Sequence, residues 1–127
     1  MKKNKVIVVD DNKEFLDEFV ETLNLNNFEA TGVDNSLLAL SEILKFLPDV
    51  IILDLKMKPK NGYQIAEDLK KFMETRNIPV IAITGNYKEE EHSLLLRMLG
   101  IKDRFIKPFK PEEIISKINE YLGKSPA

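Results

Sequence analysis

The chain has 127 residues, 19 Lys and Arg against 21 Asp and Glu, a formal net charge of -2 and no cysteine. That length predicts one domain over residues 1–127, with a core of about 4–123 and a tail of 124–127, and leaves no room for a separate output domain. The balanced charge argues against nucleic acid as a direct partner, the lack of cysteine removes disulfides and thiolate metal sites, and no stretch approaches the roughly 20 apolar residues of a membrane span, so a cytoplasmic setting is expected.

In chain order, Met1-Lys2-Lys3-Asn4-Lys5 is charged like the start of a signal peptide, but Val6-Ile7-Val8-Val9 behind it runs straight into Asp10-Asp11 and predicts a strand. A helix is expected from about Asn12 to Asn26, with Phe15, Phe19, Val20 and Leu23 at helical spacing and Asp11 or Asn12 as its cap. A weaker strand follows at about Phe28 to Val33, then a helix from about Ser36 to Phe46 carrying Leu37, Leu40, Ile43, Leu44 and Leu47 and stopped by Pro48. Val50-Ile51-Ile52-Leu53 into Asp54 is the next strand. The loop Leu55 to Asn61, with Pro59 and Gly62 as breakers, leads to a helix carrying Tyr63, Ile65, Ala66, Leu69 and Phe72. Pro79 opens the strand Val80-Ile81-Ala82-Ile83 into Thr84, and Lys88 to Leu99 reads as a helix closed by Gly100. Arg104-Phe105-Ile106 is a strand into Lys107-Pro108, and Pro111 opens a last helix with Ile114, Ile115, Ile118, Tyr121 and Leu122 on its apolar face.

Short, continuous, β-branched runs read as strands buried on both faces, the pattern of a parallel sheet. Five alternations of strand and helix give an α/β architecture: a doubly wound five-stranded parallel sheet with five flanking helices. Parallel strands bring their polar endings to one edge, where open α/β sheets bind ligands. For Asp10 and Asp54 to share a site, the first and third strands must be neighbours, which gives the order 2-1-3-4-5.

Taken singly, most of these endings are ordinary. Asp10-Asp11 before a helix reads most simply as a cap in a favourable dipole and Lys107 as a solvated lysine, whereas Asp54 is a stronger signal, balanced between a strand-end turn residue and a site residue. Together, three carboxylates at one edge raise each other's pKa unless a cation sits among them, and a hard divalent ion with oxygen ligands, Mg2+ foremost, resolves the conflict. His92 sits among charges and reads as a surface residue, so nucleophilic chemistry falls to Asp54. With Mg2+ on Asp10 and Asp11, the Thr84 hydroxyl and the Lys107 ammonium complete a set able to meet a tetrahedral anion on Asp54, which is phosphoryl transfer by positioning and charge neutralisation.

At these residues the chain resembles a receiver domain of the two-component response regulators, of the chemotaxis-regulator type, from its first strand to its last helix. The resemblance implies a flavodoxin-like fold and Mg2+-dependent phosphorylation of Asp54 by a histidine kinase or histidine phosphotransfer domain. It matches Asp10 and Asp11 to the metal-binding acids, joined by Asp54 and the Lys56 backbone carbonyl. Thr84 matches the switch hydroxyl and Lys107 the phosphate-contacting lysine, while Met57 and Gly62 match the loop after the phosphoacceptor, and Gly85 leaves access for the phosphoryl group. It also implies a signalling switch rather than an enzyme acting on outside substrates, with Lys56, Asn86 and Arg104 as switch or modulating positions and an output partner on the face between the fourth and fifth helices.

Three residues depart from the family pattern or tune it. Lys58 separates Met57 from Pro59, where the family has Pro directly after the methionine position, and Arg104 stands where it commonly has Tyr or Phe. Arg104 is therefore expected to stay on the surface, with Phe105 in the core and the signal read through Thr84 and the Gly85 to Glu89 loop. Lys56 is expected to prolong the life of the phosphate. A haloacid-dehalogenase-like phosphatase would need a second acid where Lys56 stands, a flavin carrier would be repelled by Asp10-Asp11, and a purely unphosphorylated module would need an incomplete site. Leu94, Leu95, Leu96, Met98 and Leu99 spread too widely for one helix face, so some are expected to be exposed or covered by a partner.

Overall fold

A computed structural model describes residues 2–85 and 90–123, with only the backbone described for residues 90–92. The elements run β1 (Lys5–Val9), α1 (Lys13–Leu25), β2 (Glu29–Val33), a 3-10 turn (Ser36–Leu38), α2 (Ala39–Phe46), β3 (Val50–Asp54), α3 (Gly62–Leu69), β4 (Val80–Thr84), α4 (Glu90–Met98), β5 (Asp103–Ile106) and α5 (Pro111–Tyr121). All strand pairs are parallel, in the order β2-β1-β3-β4-β5. This is the doubly wound, flavodoxin-like arrangement, with the point where the strand order reverses lying between β1 and β3.

Strand alternation divides the core in two. Val6, Val8, Val50, Ile52, Ile81 and Ile83 pack beneath α1 and α5 against Leu16, Phe19, Leu23, Ile114 and Ile118. Ile7, Val9, Ile51, Leu53 and Ala82 face the other way, onto Ile43 of α2, Ile65 and Leu69 of α3 and Leu96 of α4. Each fully buried aliphatic side chain contributes about 1.5–3 kcal/mol, so these two layers hold the strand ends in fixed positions. Continuing the alternation puts Asp10 and Asp54 on the α1/α5 side, and the pairing of Val9 with Leu53 places them beside each other.

Helix starts follow the chemistry of the sequence. Asn12 caps α1 by accepting from the Phe15 N–H at 3.1 Å, and Asn61 and Gln64 form a reciprocal capping box at α3, each bond 2.9 Å. Several apolar residues assigned to the core lie elsewhere. The second helix opens as a 3-10 turn whose tighter winding rotates Leu37 outward, 64 % exposed, while Leu47 is the left-handed cap (φ 47°) and half-exposed. The α3 helix ends at Leu69, whose carbonyl accepts from the buried Thr75 hydroxyl at 2.7 Å, so Phe72 falls in the following turn. In α1 it is Leu16 that is buried, with Phe15 and Val20 packed at the margin. Within α4, Leu96 is buried whereas Leu94, Leu95 and Met98 are exposed, as their spread around the helix requires. The Lys58-Pro59 and Lys107-Pro108 peptides are both cis.

Candidate functional site

At the carboxyl edge of the sheet, Asp10, Asp11 and Asp54 each offer a carboxylate oxygen within 4.8 Å of the others. Asp10 and Asp54 are buried and Asp11 is exposed, so the cluster is open to solvent on one side only. Each buried acid is fixed by the chain that follows it. The Asn12 N–H donates to Asp10 Oδ1 at 2.9 Å, and the Lys56 N–H donates to Asp54 Oδ1 at 3.1 Å. Lys107, at the end of β5, reaches across the edge and its Nζ donates to Asp10 Oδ2 at 2.6 Å. Its backbone N–H is held by the Thr84 carbonyl at 2.8 Å, which ties the ends of β4 and β5 together.

Electrostatically the cluster is strained in one direction. Burial pushes the Asp54 carboxyl up to about 6, with the Asp10 charge adding to the effect and Asp11 adding less; the Lys56 N–H and the Lys107 ammonium oppose it. Desolvation therefore exceeds the like-charge repulsion that the sequence alone points to. The donor set fits a hard divalent ion: three carboxylate oxygens, two of them out of water, with a net excess of negative charge that a single ammonium does not cancel.

Two glycines shape the surroundings. A Cβ at Gly62 would come within 2.3 Å of the Asp54 carbonyl oxygen and 2.8 Å of Leu55 Cα, so only glycine lets the start of α3 lie against the end of β3. Among the described residues, a Cβ at Gly85 would meet nothing within 4 Å.

Of the residues singled out in the sequence, Asp10, Asp11, Asp54 and Lys107 converge, and Thr84 is buried at the end of the adjacent strand β4. The Lys56 side chain is exposed. Arg104 is partly exposed: it pairs in register with the small Ala82 and lines an open groove of about 620 Å³ with Leu96, Arg97 and Ile101. Phe105 points to the opposite face and packs toward Phe109, as alternation requires. Asn86 and the remainder of the loop to Glu89 lie outside the described residues, as does the His92 side chain. Sequence reasoning missed Phe15, which it counted only as an apolar helix position; the Lys107 ammonium lies 4.2 Å from the centre of its ring.

Comparison with known proteins adds four findings. The family model for the response regulator receiver domain matches residues 6–119. The transcriptional regulatory protein CpxR of Klebsiella pneumoniae is 32 % identical over 122 residues, covering 96 % of this chain and 50 % of CpxR. The solved receiver domain of the Francisella response regulator 1452 is 27 % identical with a TM-score of 0.84, covering 95 % of this chain and 98 % of that one. The chemotaxis protein CheY4 of Vibrio cholerae, at 22 % identity and a TM-score of 0.87 over 94 % of this chain and 99 % of its own, shares the fold. The chain spans about half the length of the curated relatives it matches.

Proposed function

The chain belongs to the response regulator receiver domain family, and from that premise we propose that it is a phosphorylation-dependent switch that accepts a phosphoryl group on Asp54. The observation that carries this reading is a buried carboxylate, raised to about 6, within 4.8 Å of two other acids at the edge of a parallel sheet. The donor is a histidine kinase or histidine phosphotransfer protein. A carboxylate oxygen of Asp54 attacks phosphorus as the bond to the donor imidazole nitrogen breaks, leaving an acyl phosphate on the aspartate.

Mg2+ held by Asp10, Asp11, Asp54 and the Lys56 backbone carbonyl would neutralise charge on the transferring group. The residues of the chain do the rest. Burial keeps Asp54 out of competing hydrogen bonds with water, and the Lys56 N–H orients one of its oxygens. Lys107 exchanges its bond to Asp10 for a phosphoryl oxygen, and the Thr84 hydroxyl takes another. The exposed Lys56 ammonium shields the phosphorus from water and lengthens the life of the phosphate.

The phosphorylated state is read through Thr84, the loop containing Asn86, and Arg104, and is presented to an acidic partner on the face between α4 and α5. The chain forms a single domain that acts in the cytoplasm, touches no nucleic acid directly and catalyses no reaction on an outside substrate. Among the described residues, no helix is long and apolar enough to cross a membrane.

A small acyl phosphate such as acetyl phosphate tests the assignment. With Mg2+ present, intact mass spectrometry is expected to show one added phosphate on the wild type and none on Asp54→Asn. Equal labelling of the variant would overturn it.

A further inference from the structure

The phosphoryl-transfer reading gives Lys107 two successive partners and leaves open what holds its side chain while it changes between them. We propose that Phe15 is a positioning residue for Lys107, its ring face holding the ammonium at the carboxyl edge independently of Asp10; the inference rests on the reading of the site as a phosphoacceptor.

The Lys107 Nζ lies 4.2 Å from the Phe15 ring centre while donating to Asp10 Oδ2 at 2.6 Å. The Lys107 side chain is 21 % exposed, so the ring meets the ammonium in a partly desolvated setting, where attraction to the ring quadrupole is greater than at a fully exposed site. Asp10 is a partner that a metal ion competes for. The ring is a partner that no step of the transfer consumes.

The ring itself is held firmly. It stacks on Phe19 at 5.6 Å and meets the edge of Phe109 at 5.8 Å, and Phe19 and Phe109 pack edge to face at 5.4 Å. The backbone beneath it is tied to the acid cluster, because Asn12, whose N–H binds Asp10 Oδ1, also caps the Phe15 N–H. Phe15 and Asp10 are thus fixed in one short segment, and Lys107 spans from one to the other.

The test is a double-mutant cycle in the full chain, read by the rate of labelling with acetyl phosphate and Mg2+. Phe15→Leu keeps apolar volume but removes the ring face, and it is expected to slow labelling about three- to tenfold, while Phe15→Trp stays within about twofold of wild type. In a Lys107→Ala background the same Phe15→Leu change is expected to have no further effect, since its target is gone. Phe46→Leu, which alters the separate stacking of Lys5 on Phe46 at 4.9 Å, is the control expected to leave the rate unchanged. Equal slowing by Phe15→Leu with and without Lys107 would overturn the proposal and leave the phosphoacceptor reading standing.

Nuclear magnetic resonance relaxation of the Lys107 Cε methylene gives a second readout that needs no phosphate. Its order parameter is expected to fall in Phe15→Leu and to be retained in Phe15→Trp; an unchanged value in Phe15→Leu would also overturn the proposal. Failure of the wild type to label at all would instead count against the phosphoacceptor reading, and the relaxation result would still decide the role of Phe15.

Discussion

Asp49 just precedes strand β3 and Asp54 ends it, and the two acids meet opposite environments. Asp49 at the amino edge is exposed, and its Oδ2 accepts from the Lys5 N–H at 2.8 Å and from Asn4 Nδ2 at 3.4 Å, while its own N–H donates to the Lys5 carbonyl at 2.8 Å. Asp54 at the carboxyl edge is 4 % exposed and faces two further carboxylates. An acid beside a strand is therefore a structural clasp when donors and water surround it, and part of a cluster able to hold a cation when burial and like charge surround it. Connectivity decides which. Parallel strands bring Asp10, Lys56, Thr84 and Lys107 to one end only.

The contrast predicts stability changes of opposite sign. Because the folded-state pKa of Asp54 is raised to about 6 from 3.8, the folded protein holds that proton more tightly than the unfolded chain. The stabilisation is complete below about pH 4 and is lost as pH rises through about 6, so ionised Asp54 costs the metal-free fold about 2–3 kcal/mol at pH 7.5. In chelator, Asp54→Asn is expected to be more stable than wild type by about that amount in urea denaturation at pH 7.5, with the difference shrinking toward pH 4. A difference that does not change with pH would refute the electrostatic origin.

Metal affinity separates the two edges next. Asp10→Asn and Asp11→Asn are each expected to weaken Mg2+ binding at least about tenfold, or about 1.4 kcal/mol, by isothermal titration calorimetry, whereas Asp49→Asn leaves it unchanged. Equal affinity in all three variants would remove the distinction. The smallest effect belongs to the clasp: Asp49→Ala is expected to lower stability by about 1 kcal/mol, the net worth of its hydrogen bonds, with labelling of Asp54 unaffected.

The strands and their order were legible because each is a short β-branched run and because Asp10 and Asp54 can share a site only if β1 and β3 are neighbours. The converging acids and Lys107 were legible for the same reason: alternation and parallel pairing fix where a strand-end side chain goes. What periodicity does not carry is the local winding of a helix start, so the 3-10 turn that exposes Leu37 was missed, as was the Thr75 hydroxyl that ends α3 before Phe72. Phe15 read as an ordinary apolar helix position because helical spacing names a face and not its height along the sheet. Only the folded position of α1 shows that this ring lies at the carboxyl edge under Lys107.

The carboxyl carbon of Asp54, followed by nuclear magnetic resonance across a pH titration, tests most directly whether the carboxyl edge is a buried acid site awaiting a cation. In metal-free protein the midpoint is expected near 6, and saturating Mg2+ is expected to lower it. A midpoint near 4 that Mg2+ does not move would contradict it.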